Sequence, residues 1–463
     1  RVEPTGGACR FFDRWEQDIE LAAALGMDVF RMGVEWARIQ PAADPDERRP
    51  PPFDAGALDH YADILAGVRA LGMEPHVTLH HFTHPLWAGL DLWLDRDRCL
   101  GLFRDYVRET VDGLNSRLAA RGAAPLTRWI TLNEPFIVPF LTYLLRMFPG
   151  PDGVWGRRPM WRTLETALLA HVEAVEVIRA LHRERGWPTP VLSVNTWSCF
   201  VYEWDKGMLD LLRAPAAGVA PDDLEGYLAD QRRRLADRLD RAPLTRGANR
   251  LRRRWERRMQ WWVTRAAGPR LYPAVFERVL GATEPLVDEL LFDYYDPFLL
   301  NNVSLGGWPP VRIASEPWQW SVVPEGMGTM VAAYADGAAG APVGIAENGM
   351  SVRHDGQRAY GREDGVHRVR MIAAALLEVA RAVREGQPLG CYYHWSLVDN
   401  YEWGSYQPRF GLYGVDYAND AARMETDAGG VPAGDAYREL CAALREGGPA
   451  AVACFERWFA YEP

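Results

Sequence analysis

Two glutamates stand where a chain would place reactive carboxylates. In Trp129-Ile-Thr-Leu-Asn-Glu-Pro135 a run of apolar and β-branched residues leads to an Asn–Glu pair, and a proline ends it. Val343-Gly-Ile-Ala-Glu-Asn-Gly349 repeats the plan, its Glu347 lying 213 positions after Glu134. A buried strand that delivers a carboxylate at its C-terminal end is how a parallel α/β barrel presents chemistry. Two such groups suggest one acid and one nucleophile, or one acid and one base. A lone glutamate in such a place would more often cap a helix or pair with a surface arginine. Two on matching strand ends, with aromatic strand ends nearby, favour chemistry.

Bringing these groups together requires buried strands separated by helices. Asp28-Val-Phe-Arg-Met-Gly-Val-Glu-Trp36 reads as a strand buried on both faces, with Val29, Arg31 and Gly33 on one side and Phe30, Met32 and Val34 on the other. With helices outside, Arg31 points into the barrel, where an unpaired guanidinium is very costly, so it needs a carboxylate. Further strands read near 74, 128, 190, 290, 342 and 389. In Leu291-Phe-Asp-Tyr-Tyr295, alternation puts Asp293 and Tyr295 on one face. Helical spacing places Trp15, Ile19 and Ala23 on a helix stopped by Gly26, with further helices over 58–70, 98–121 and 163–185. The strands found are one short of eight.

Thr131-Leu-Asn-Glu-Pro135 and Ile345-Ala-Glu-Asn-Gly349 resemble the acid/base and nucleophile signatures of family 1 glycoside hydrolases, the β-glucosidase family. The resemblance runs from about Phe11 to about Asp416 and implies a (β/α)8 barrel. It also implies a retaining β-glycosidase, with Glu134 as acid/base, Glu347 as nucleophile and a small β-glycoside as substrate. Arg31, in Phe30-Arg-Met-Gly-Val-Glu-Trp-Ala-Arg-Ile39, matches the family residue that contacts the nucleophile, and Tyr295 matches the tyrosine that hydrogen-bonds it. His81, closing Val77-Thr-Leu-His-His81, matches a histidine that binds glycone hydroxyls, and Asn133 takes the 2-hydroxyl. Trp395-Ser-Leu-Val-Asp-Asn-Tyr-Glu-Trp403 and Arg409-Phe-Gly411 resemble the sugar-recognition loop. That likeness makes Trp395 the subsite floor and Glu402 the acceptor for O4 and O6, with Trp403 and Phe410 beside them. The chain departs from the pattern in placing Asp293, another candidate substrate contact, where asparagine is usual. The family's first strand ends in Gln-x-Glu-Gly, whereas only Arg1-Val-Glu3 stands here, without glutamine. That strand is therefore expected to be missing or replaced.

At 463 residues, with 48% hydrophobic and 25% charged, the chain can fill a large core, and a single barrel domain over 1–463 is expected. A net charge of −10 argues against nucleic acid as the main partner. The cysteines are scattered without a CxxC pair, as in a reduced cytoplasmic protein, and no apolar run approaches a membrane span. His80, His81 and His84 do not read as a metal site, because adjacent strand residues face opposite ways, and no cofactor is implied. Residues 231–258 hold 12 arginines and 3 acids, so a helical insertion is expected around 200–270. Its apolar face, with Trp255, Met259 and Trp262, is expected to pack over the barrel mouth. A rival reading keeps the glutamate pair but turns it to eliminating water from a non-sugar natural product, with one carboxyl protonating the departing hydroxyl.

Overall fold

Seven runs of apolar and β-branched residues lie side by side as parallel strands. They are β1 (Val29–Gly33), β2 (Glu74–Thr78), β3 (Arg128–Asn133), β4 (Val191–Trp197), β5 (Leu290–Asp293), β6 (Val343–Asn348) and β7 (Leu389–His394). The computed structural model describes residues 3–42, 49–242, 254–255, 257–258, 260–261, 272–297, 303–305, 311–313 and 316–462. Spatial order follows chain order from β1 to β7, the right-handed progression of a (β/α)8 barrel. Among the described residues no eighth strand joins β1 to β7. The leading segment is tied elsewhere: Glu3 N donates to Gly404 O at 2.8 Å, and Ser405 Oγ donates to Glu3 Oε1 at 2.8 Å.

Helices form where the 3.6-residue period predicts them, though their ends differ. The expected ones are α1 (Phe11–Ala24), α2 (Ala55–Ala70), α3 (Arg96–Ala120) and α4 (Arg157–Arg185); the insertion holds α5 (Lys206–Arg213) and α6 (Leu224–Arg241), and further helices include α7 (Met327–Ala335), α8 (Arg368–Arg384) and α9 (Ala433–Glu446). Asp54 caps α2 by accepting from Ala57 N at 2.9 Å, and Gly186 closes α4 in the left-handed region at φ 67°. The main core lies between strands and helices. Inside the barrel a smaller cluster joins Ile130, Leu291 and Ala346 to Cys391 and Tyr393. Gly344 leaves room for it, since a Cβ there would stand 2.4 Å from Cys391 Sγ.

The helical insertion is present: its first residues reach the rim, where Trp204 stacks on Phe136 at 4.3 Å, and its described helices pack on the outer wall. Arg213 donates to Val287 O and Ala338 O at 3.0 Å each, near the N-terminal ends of β5 and β6. Arg238 pairs with Asp336 beyond α7, and Gln260 reaches Glu203, past the end of β4, at 3.1 Å. The expectation of a buried apolar face needs correction: Trp255 is 48% exposed. The apolar seam that buries this segment is instead Leu224, Leu228, Leu235 and Leu239 of α6, with ion pairs such as Arg232–Glu203 and Arg257–Asp240 beside it. Met259 and Trp262 lie outside the described residues. No helix among the described residues is long and apolar enough to cross a membrane.

Candidate active site

The strand ends that carry reactive groups are also where the sheet departs from regular register. Shifts fall between Ile130 and Asn133, between Phe292 and Asp293, and between Tyr392 and His394. An extra residue at such a point turns the next side chain away from strict alternation. The rim is laced by backbone bonds from Asn133 N to His80 O, Glu134 N to Asn195 O, and Tyr294 N to Glu347 O, all within 2.9 Å. Glu134 itself sits at φ 40°, a left-handed conformation that costs a non-glycine residue about 1–3 kcal/mol.

These strand ends bring Arg31, Asn133, Glu134, Asp293, Tyr295 and Glu347 into one cluster. Arg31 Nη1 donates to Glu347 Oε1 at 2.9 Å and to Ala346 O at 2.8 Å. Its Nε donates to Thr78 Oγ1 at 3.2 Å, and its Nη2 donates to Asn133 Oδ1. Tyr295 Oη donates to Glu347 Oε2 at 3.0 Å, so both oxygens of Glu347 are held. Oxygens of Glu134, Asp293 and Glu347 lie within 4.8 Å of one another. All three side chains are buried, Asp293 completely.

A rim of rings surrounds the cluster. The His81 ring stacks on Trp395 at 5.7 Å, and Trp395 Nε1 donates to Glu402 Oε1 at 2.8 Å. Trp403 stacks on Phe148 at 6.0 Å and meets Phe82 at 5.8 Å. Phe410 is buried beside Tyr295 at 6.1 Å, supporting that ring from behind.

Two participants carry no clear sequence signal. Asn195 Nδ2 donates to Asn133 Oδ1 at 2.7 Å and to Asp293 Oδ2, yet in the sequence nothing sets it apart from Ser193 and Thr196 in the same strand. Trp320 meets Tyr295 at 5.6 Å and Trp403 at 6.5 Å from a loop with no periodicity to flag it.

Burial pushes the Glu134 carboxyl well above its ordinary range, and the neighbouring Glu347 charge adds to this. Burial also raises Glu347, but Arg31 and the Tyr295 hydroxyl pull it back. Both are raised, Glu134 the more strongly, so of the two Glu134 holds a proton and Glu347 gives one up first. Burial and Arg31 hold His81 down to about 3, so its imidazole is neutral. His80 turns the other way, onto Trp93 at 5.0 Å, so the paired histidines do not converge. Among the described residues, Glu134, Asp293 and Glu347 are the oxygens that could meet at a hard cation. The guanidinium already on Glu347 opposes a second cation there, leaving protons to neutralise the other two.

The model for "Glycosyl hydrolase family 1" matches residues 3–205 and 308–429. A 1,4-beta-D-glucan glucohydrolase of Thermotoga neapolitana is 24% identical over 429 residues, covering 91% of this chain and 85% of that one. A chloroplastic galactolipid galactosyltransferase of Arabidopsis thaliana is 25% identical over 428 residues, covering 89% of this chain and 56% of its own length. Among solved structures, a family 1 β-glucosidase from Thermotoga maritima superposes with TM-score 0.65 at 21% identity, covering 94% of this chain and 87% of that one. Likeness at that identity speaks for the barrel fold, and the family match covers the strand ends that carry Arg31, Asn133, Glu134 and Glu347, whereas Asp293 and Tyr295 lie outside the matched residues. The chain belongs to glycosyl hydrolase family 1.

Proposed function

We propose that the protein is a retaining β-glycosidase acting on a small β-glycoside by double displacement. The observation that carries this reading is the close approach of Glu134 and Glu347, whose oxygens lie within 4.8 Å. Carboxyl groups about 5–5.5 Å apart suit covalent catalysis, whereas inversion needs about 6.5–9.5 Å to admit a water. Glu134 gives its proton to the leaving oxygen while Glu347 bonds to the anomeric carbon. Water then attacks that carbon, Glu134 takes its proton, and Glu347 departs as carboxylate. Arg31 and Tyr295 keep Glu347 ionised and aimed.

Asn133 supports a hydroxyl-bearing substrate, because its Nδ2 is buried without an acceptor and its Oδ1 is already used twice. A 2-hydroxyl would complete it. His81, Trp395, Glu402 and Trp403 are assigned to the rest of the sugar, and two Thermotoga relatives named as glucan glucohydrolase and β-glucosidase make a glucoside the first substrate to try. No cofactor enters this scheme. A second reading, elimination of water from a non-sugar compound, is favoured by Asp293, a third carboxyl in reach.

The test is a panel of aryl β-glycosides with purified protein. Turnover is expected, with Glu347→Gly silent and azide restoring cleavage from the vacated side. If every aryl β-glycoside is untouched by intact protein, the hydrolase reading fails and elimination leads. The relative named as a transferase makes the acceptor worth following too, so products should be analysed for sugar passed to an added alcohol.

A further inference from the structure

Asp293 and Glu134 face each other with no protein donor between them. Asp293 is fully buried, and the register shift just before it turns its side chain towards Glu347. Its Oδ2 accepts from Asn195 Nδ2, whose other hydrogen goes to Asn133 Oδ1 at 2.7 Å. With both hydrogens of that amide used, the two oxygens of Asp293 have distinct roles. Oδ1 is buried and receives no hydrogen bond from any described residue. It belongs to the carboxyl that lies within 4.8 Å of an oxygen from Glu134 and one from Glu347. An acceptor left in this state costs about 1–3 kcal/mol, and an ionised one costs more.

The charges around it point the same way. Arg31 faces the cluster from β1, His81 from the segment after β2, Glu134 from the end of β3, Glu347 from β6 and Glu402 from the loop after β7. Tyr295 lies further along its own strand, and β4 contributes the uncharged Asn195. Among the described residues Arg31 is the one cation here, and it is committed to Glu347 at 2.9 Å. Three ionised carboxylates would leave two negative charges without a partner, and like charges in one buried site do not all ionise.

We propose that Asp293 remains a neutral carboxylic acid throughout the reaction and donates its Oδ1–H to Glu134 whenever Glu134 is ionised. Its catalytic consequence rests on the two-glutamate reading above; the proton itself does not. In the first step the Glu134 proton goes to the leaving oxygen as the glycosidic bond breaks and the Glu347 ester forms. The new Glu134 carboxylate accepts from Asp293. In the second step water bonds to the sugar carbon, its proton returns to Glu134, and the ester electrons return to Glu347. Asp293 ends with the proton it began with, and the buried cluster keeps the same net charge. Burial together with the two glutamates pushes Asp293 well above the carboxylate range, in keeping with this role. Asp293 is thus a positioning residue that acts through Glu134. An asparagine would keep the acceptor and put an amide N–H in place of the O–H, but could not titrate.

Two readouts test this on the full chain. The first is the infrared carbonyl band of a protonated carboxyl group, recorded above the pH at which Asp205, pushed up to about 7, has ionised. Wild type is expected to show a band that shifts when aspartate is labelled with carbon-13 and is lost in Asp293→Asn. Absence of the band from labelled wild type is decisive even if that variant does not fold, while a band is assigned by its loss in the variant, since burial also raises Asp18, Asp210 and Asp399. The second is the alkaline limb of kcat/KM on an aryl β-glycoside. Wild type is expected to fall in two stages, because a single remaining proton is shared between Glu134 and Asp293, while Asp293→Asn falls in one. Absence of the aspartic acid band overturns the proposal, as does a one-stage limb unchanged by the substitution. A protein with the band but no glycosidase activity keeps this inference and loses the hydrolase reading. Cleavage without the band does the reverse.

Discussion

Glu402 accepts the Trp395 indole hydrogen at 2.8 Å and is pushed up to about 8 by burial, so sugar hydroxyls that donate to it favour its ionised form. Losing a bond between such a group and a sugar costs roughly 1.5–3 kcal/mol. Glu402→Ala should therefore lower kcat/KM on a β-glucoside by about ten- to a hundredfold, read from initial rates. Asp205 makes a cleaner pH probe, because it lies outside the cluster and accepts from Thr196 Oγ1 at 2.7 Å and Cys199 N at 3.0 Å. Burial raises it from 3.8 to about 7. A raised folded-state value means the fold binds that proton more tightly than the unfolded chain does. Its stability contribution is whole below 3.8 and is lost as pH rises through about 7. In calorimetry, Asp205→Asn should flatten the fall of Tm across that interval; an unchanged slope would remove Asp205 from the account. At this scale the sequence was most informative about Arg31, because alternation and the cost of a bare guanidinium together demanded a carboxylate. It was least informative about Asn195, whose role depends on two partners from other strands.

Elements were legible wherever one period dominated. All seven strands coincide with their apolar runs, but the residue that each strand end finally presents depends on a register shift that alternation does not foresee. In the insertion the sequence points to an apolar stripe at Trp255, which is exposed, whereas the buried stripe is Leu224, Leu228, Leu235 and Leu239 of α6. The insertion's anchor is α5 and α6: Lys206, the chain's only lysine, is fully buried, with Nζ 2.6 Å from Asp210 Oδ1 and 3.0 Å from Gln231 Oε1. Removing one partner of a buried pair leaves the other uncompensated. Lys206→Met is expected to cost about 3–5 kcal/mol in denaturant unfolding, with kcat/KM on a glycoside unchanged under native conditions. A loss below about 1 kcal/mol would mean that Asp210 is accommodated without its partner, as a reprotonated carboxyl could be.

For the whole molecule, the sequence anticipated a barrel with seven recognisable strands, and among the described residues β1 and β7 are the two edges of the sheet. The edges are less sealed than the middle. Residues of β7 are half-buried to exposed, as are most of β1, whereas every residue of β6 and nearly all of β3 is buried. Strands with fewer buried contacts open locally at lower cost. Amide exchange in β1 and β7 should run at least about tenfold faster than in β3 and β6, and equal protection would show that the seam is closed in solution. The reactive cluster straddles that seam, since Arg31 comes from β1 while Glu347 comes from β6, beside β7. The central claim is that Glu134 and Glu347 work through a covalent glycosyl intermediate. It is tested most directly by proton NMR of the first sugar released from an aryl β-glucoside, recorded before the anomers equilibrate. The account predicts the β-anomer; the α-anomer as first product would contradict it.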